Sequence, residues 1–179
     1  KQQAVTWMNS TANGRPIVPR SGFVVEINAL WYNALMFGAE LASKAGKQAD
    51  ADRMEKVAAQ AKESFVATFV NPFGYLYDYV EGDLREQSVR PNMIDFCTRE
   101  LLTPKGMRSL SPKSGGYNPM YVGPQTQRDY AYHQGTAWPW LFGFYMEASM
   151  KLYMRTRLSF IERQMVGYEE EMMYHCLGT

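Results

Sequence analysis

"VEINALWYNALMFGAELASKA", residues 25–45, decides the fold class. Ile27, Leu30, Trp31, Ala34, Leu35, Gly38, Leu41 and Ala42 recur at i, i+3 and i+4, the period of one apolar helix face. Gly46 follows as a left-handed stop. The stretch 50–69 repeats the period. Met54, Val57, Ala58, Ala61, Phe65 and Phe69 share a face, and Lys56, Gln60 and Lys62 point away. Asn71-Pro72 ends it. The short link predicts an antiparallel helical hairpin.

Outward from the hairpin, "YLYDYV" (75–80) alternates and predicts a short extended segment or hairpin arm. Asp78 and Asp83 read as turn residues. A shorter helix is predicted over 94–102, stopped by Thr103-Pro104. Residues 104–136 read as one long irregular loop. Loops of that length in compact domains usually carry function, and its Tyr, Met and Arg content argues against disorder. A helix is predicted from Trp138, with Pro139 in its first turn and Leu141, Phe142, Tyr145, Met146 and Ser149 along it. The last helix is placed at 159–176. Ser159 is its N-cap, Glu162 completes a capping box, and Phe160, Ile161, Met165, Tyr168 and Met172 face inward. The fold class is mainly α: five helices as scaffold, with aromatic loops gathered to make a site.

Composition removes several function classes. Nineteen Lys and Arg against eighteen Asp and Glu give no electrostatic case for nucleic acid or an anionic membrane. Cys97 and Cys176 lack CxxC spacing, which argues against a disulfide scaffold and a zinc site and fits a reducing cytoplasm. No apolar run is long enough to span a bilayer, and the polar, aromatic N-terminal residues lack a signal-peptide core. Neither end reads as a domain end, so a fragment is expected.

There is no GxGxxG, P-loop, HExxH or GxSxG, and no aspartate-rich helix. Two histidines cannot make a His-rich metal cluster. The loops instead hold the side chains that sugars need: aromatic planes for C–H faces and planar or charged groups for hydroxyls. The platforms are Trp7, Tyr130, Tyr132, Trp138 and Trp140. The polar rim is Arg20, Glu26, Asn28, Arg90, Asn92, Arg128, Asp129, His133 and Gln134. Plainer readings compete. Trp31, Met54, Met165 and Met172 fall on helix stripes and read as core, and Glu169 to Glu171 read as a solvated face. Glu26 serves either a helix dipole or a site, and His133 is either a structural or a site histidine.

Several stretches carry a resemblance when taken in order: "TWM" (6–8), Pro19 to Leu35 with "VEINALWYNAL", "GYLYDYVEG" (74–82), "VRPN" (89–92), "ELLTPKGMRSLSP" (100–112) and "RDYAYHQGTAWPW" (128–140). The chain resembles the C-terminal amylo-α-1,6-glucosidase domain of glycogen debranching enzymes, in its bacterial single-chain form, over nearly its whole length. The resemblance implies an (α/α)6 toroid of the six-hairpin glycosidase kind, and inverting hydrolysis of the α-1,6-linked glucose at glycogen branch points. It implies glycogen or another branched α-glucan as partner, no cofactor, and a cytoplasmic place in glycogen catabolism. Inversion needs two carboxyl groups about 6.5–9.5 Å apart, one protonating the leaving oxygen and one activating water.

Three departures from the family pattern matter. The family reads "TWMD", with that Asp resembling the general acid; here the position is Asn9. An amide keeps the hydrogen bonds but delivers no proton at neutral pH. The expectation is a lost or impaired acid, unless a carboxylate such as Glu26 stands in. Second, the family's base lies in a "SE"-type motif expected just beyond Thr179. Third, about twenty residues, roughly one helix of the family pattern, are expected to be missing between Met93 and Ile94. Five helices against twelve make an incomplete toroid lacking C-terminal helices. Its apolar helix faces are then exposed, and another copy could cover them. Two readings stand: a fragment of a debranching enzyme, inactive alone, or part of a catalytically retired glucan-binding (α/α)6 protein. An epimerase of similar architecture would need a histidine pair, and only His133 lies in a suitable loop.

Overall fold

A computed structural model describes residue 4 and residues 6–175. In chain order, β1 (Thr11–Ala12), β2 (Arg15–Pro16) and β3 (Phe23–Val24) lead into α1 (Val25–Lys44) and α2 (Gln48–Phe69). β4 (Tyr79–Glu81), β5 (Leu84–Arg85) and α3 (Ile94–Phe96) follow, and α3 runs on into a π turn at Cys97–Leu101. Then come β6 (Leu102–Thr103), β7 (Gly106–Arg108), α4 (Gln125–Tyr132), β8 (Ala137–Trp138) and α5 (Pro139–Tyr153). A 3-10 turn at Met154–Arg157 precedes α6 (Leu158–His175). The described chain is mainly helical, as a glycosidase-like helical domain requires. It divides into two compact units: residues 20–87, and the residues up to Pro19 together with those from Ser88.

In the 20–87 unit, α1 and α2 form the predicted hairpin. Gly46 (φ 72°) ends α1 in a Schellman motif. Its N–H donates to the Ser43 carbonyl, and the Lys47 N–H donates to the Ala42 carbonyl. The seam between the helices is made of small residues. Ala39, Ala51 and Ala58 are buried, and a methyl added at Gly38 would stand 2.9 Å from the Met54 sulfur. Leu35 is buried beside them, but the larger members of the predicted stripe are not. Ile27, Leu30 and Leu41 are exposed, and Trp31, read as core, is 54% exposed. The reason is that α1 is apolar on more than one side, and within this unit it meets one helix. β3, β4 and β5 make an antiparallel sheet, with Phe23 opposite Val80 and Val80 opposite Arg85. Val25, Phe69 and Val80 form the core under it. Asp83 lies in the β4–β5 turn as expected. Asp78 does not; it is buried and ion-paired.

In the other unit, Cys97, Leu101, Met107, Leu141, Phe142 and Tyr145 form the core. Burial pushes the Cys97 thiol up to about 12. The helix predicted over 94–102 is one α turn followed by a π turn, and it ends at Leu101 because Leu102 pairs with Met107 in a sheet ordered β6-β7-β8. The stretch 104–136 is not wholly irregular: it holds β7 and α4. α5 starts at Pro139, one residue after the predicted Trp138, with the proline in the first turn as expected, where its missing N–H costs nothing. α6 starts at Leu158, so Ser159 is inside the helix and not its N-cap; the 3-10 turn leads the backbone in one residue earlier. Ile161 is buried and Tyr168 packs on Phe142, whereas Met165 and Met172, expected to face inward, are half exposed. Glu171 is partly buried and ion-pairs with Lys105, so the acidic run is not wholly a solvated face. The predicted helix end at Cys176 lies outside the described residues. Among the described residues, no helix is long and apolar enough to cross a membrane.

Candidate active site

Met8 is buried and fixes the "TWMN" stretch, and its N–H donates to the Thr6 hydroxyl at 3.3 Å. Trp7, half-buried, stands edge-on to His133 at 5.2 Å and edge-on to Trp140 at 5.5 Å. Asn9, two residues on, is exposed. His133 caps the C-terminal end of α4, is 2% exposed, and meets the Tyr132 ring at 4.7 Å. Tyr132 packs against Trp138 at 4.5 Å, and the Trp138 indole N–H donates to the Tyr132 carbonyl at 3.0 Å. Residues from three places in the sequence thus converge: Trp7, the Tyr132-His133 pair, and Trp138 with Trp140.

A polar frame holds that cluster. The buried Arg90 donates to the His133 carbonyl (2.8 Å), the Ser109 carbonyl (3.3 Å) and the Gln134 side-chain oxygen (3.1 Å). The Gly135 N–H donates to the Ser109 hydroxyl at 3.0 Å, and the Thr136 hydroxyl donates to the Ala131 carbonyl at 2.9 Å. The "HQGT" stretch is therefore tied down residue by residue. This fixes the backbone that carries the Tyr132 and His133 rings. The Asn92 N–H donates to the Arg90 carbonyl. Arg128 and Asp129 lie on α4 with polar ends engaged locally: Gln125 donates to Asp129 at 2.7 Å and accepts from Arg128 at 2.8 Å.

The 20–87 unit holds a second constellation. Arg20 is 4% exposed and grips both oxygens of Glu26 two-pronged. Its guanidinium also donates to the Asp78 carboxylate (2.9 Å) and the Asp78 carbonyl (3.2 Å). Asn28 donates to the Val24 carbonyl at 2.8 Å, at the start of α1. Burial, with the negative charges of Glu86 and Asp78, pushes the neighbouring Tyr79 hydroxyl up, so it stays protonated. Among the described residues, no three His, Cys, Asp or Glu side chains gather closely enough to hold a metal ion.

Sequence reasoning missed Asp78 as the partner of Arg20, Ser109 as the tie for Gly135, and Tyr121, whose ring packs on Tyr132 and Trp138. Nothing in one sequence marks Asp78 or Ser109. Tyr121 was legible only as one more aromatic in the 104–136 stretch.

Tied-down aromatic rings on a helical scaffold offer flat apolar surfaces of the kind that cover the C–H faces of sugars. The chain belongs to the amylo-α-1,6-glucosidase family, which it matches in two stretches, residues 1–98 and 93–179. It is 27% identical over 212 residues to the glycogen debranching enzyme of Saccharomyces cerevisiae, across 84% of this chain. The chain spans 14% of the length of that relative.

Proposed function

We propose that this chain is part of a glycogen debranching enzyme, within an (α/α)6 toroid that acts on the α-1,6-linked glucose at branch points of glycogen or a related α-glucan. The observation that carries this reading is the contact of Trp7 with His133 and Trp140. It joins two of the stretches that carry the family resemblance, 6–8 and 128–140, into one aromatic wall. Such a wall suits the C–H faces of a glucose ring. Trp7, Tyr132, Trp138 and Trp140 line the sugar, the buried His133 with Arg90 and Gln134 positions that wall, and Arg128, Asp129 and Asn92 are assigned to its polar rim. Arg20, Glu26 and Asn28, candidates by residue type, belong to the 20–87 unit, where Arg20 bonds Glu26 and Asp78 and Asn28 bonds the Val24 carbonyl. The protein acts in the cytoplasm and needs no cofactor.

Inverting hydrolysis needs a proton donor at the leaving oxygen and a base at the water. Asn9 occupies the donor position and carries no transferable proton. Both oxygens of Glu26 accept from Arg20, which leaves it poorly placed to stand in. The base lies outside these residues. The 179 residues taken alone are therefore inactive. About twenty residues are missing between Met93 and Ile94; in support, the family match comes in two stretches that meet at 93–98.

Asn9 also favours a second reading, a retired glucan-binding protein that keeps the aromatic wall. Binding of a branched limit dextrin to the full-length protein tests what the two share. Tight binding lost on Trp7→Ala is expected, and binding indifferent to Trp7 would sink both. Glucose release separates them: slow release by the unsubstituted protein supports the enzyme, and none at all supports the retired form.

A further inference from the structure

A cavity of about 500 Å³ opens between the β1–β2 hairpin and α4, lined by Ala12, Asn13, Arg15, Pro16, Ile17 and Tyr130. It shares no residue with the Trp7 cluster, and its volume is within the range of small-molecule sites. The wall is well defined. Asn13 (φ 51°) and Gly14 (φ 72°) make a two-residue hairpin turn of the type whose twist matches its strands. Thr11 pairs with Pro16, and the Ile17 N–H donates to the Ser10 carbonyl at 3.0 Å. Buried Ala12 and Val18 anchor the hairpin, and β1 packs on α4. Tyr130 sits beside the fully buried Ala131, so its backbone is fixed while its ring is 47% exposed.

The polar ends at this cavity are uncommitted. Among the described residues, the Asn13 amide, the Arg15 guanidinium and the Tyr130 hydroxyl have no hydrogen-bond or ion-pair partner. Arg90, Arg108 and Arg128 of the same unit are engaged by protein oxygens. Ring, amide and guanidinium together fit a neutral sugar: the ring covers a C–H face, and the amide and guanidinium fork bond adjacent hydroxyls.

We infer that this cavity is a second carbohydrate subsite, which holds a glucosyl unit of the chain bearing the branch and so selects a polymeric substrate. It rests on the proposed glucan reading. The test is calorimetric titration of the full-length protein with maltoheptaose, glucose and inorganic phosphate. Tyr130→Ala and Arg15→Ala are expected to weaken maltoheptaose roughly three- to tenfold and leave glucose unchanged, while Tyr130→Phe keeps the platform and the affinity. Unsubstituted affinity in both alanine variants would overturn the subsite alone. So would phosphate competing with maltoheptaose through Arg15, which would make the cavity an anion site. Failure of the unsubstituted protein to bind any glucan would remove the glucan reading itself, and the subsite with it.

Discussion

Arg20 has a 1% exposed side chain and faces two carboxylates, one of them, Asp78, equally buried. Removing the guanidinium strands the Asp78 charge in the interior, which costs far more than an exposed ion pair is worth. Arg20→Met is expected to lower the unfolding free energy by about 3–5 kcal/mol, measured by urea denaturation. A change below about 1 kcal/mol would show that water reaches the pair. At this scale the sequence told residue type but not partner. Arg20, Asn28 and Arg90 read as rim groups because they are planar and polar. Their bonds in fact go to Asp78 and Glu26, to the Val24 carbonyl, and to the His133 and Ser109 carbonyls. A sugar hydroxyl and a backbone carbonyl ask the same of an amide or guanidinium, so composition cannot tell them apart.

The long helices were legible because their period was strong: α1 and α2 fall within two residues of the predicted bounds, and α5 starts one residue from its predicted start. The 94–102 segment was not, because pairing between β6 and β7 overrides local helix preference and cuts the turn short. α4 was hidden by its polar sequence. The π turn is further held by Glu100, which takes the Ser111 hydroxyl and the Lys113 ammonium, the latter at 2.9 Å. Burial pushes the Glu100 carboxyl up, but those two partners outweigh it and hold the group below its usual value of 4.5. A depressed folded-state value stabilises above the unfolded value and fades as pH falls through the folded one. Glu100→Gln is therefore expected to cost roughly 1–2 kcal/mol at pH 7, with the gap closing below pH 4.5. A gap constant from pH 7 to pH 3 would mean that packing, not charge, is lost.

For the molecule as a whole, the telling feature is apolar surface left open on α1 and α6. Ile27, Leu30, Trp31, Phe37 and Leu41 are at least half exposed, as are Met165, Met172 and Met173. Monomers seldom show this much without a partner for it. The 179-residue chain by itself is expected to self-associate at micromolar concentrations, seen as a concentration-dependent sedimentation coefficient. A constant monomer would mean that these faces tolerate water.

The deciding residue is still Asn9, exposed beside a tryptophan that the fold has built into a wall. If it holds the proton donor's place, one atom exchanged in its side chain restores the donor, and a positioned general acid contributes about a hundredfold or more. The direct measurement is the initial rate of glucose release from a branched limit dextrin by the full-length protein and its Asn9→Asp variant. A rise of about a hundredfold or more in the variant is the predicted result. A rate unchanged or lowered would contradict the assignment of Asn9 to the acid position.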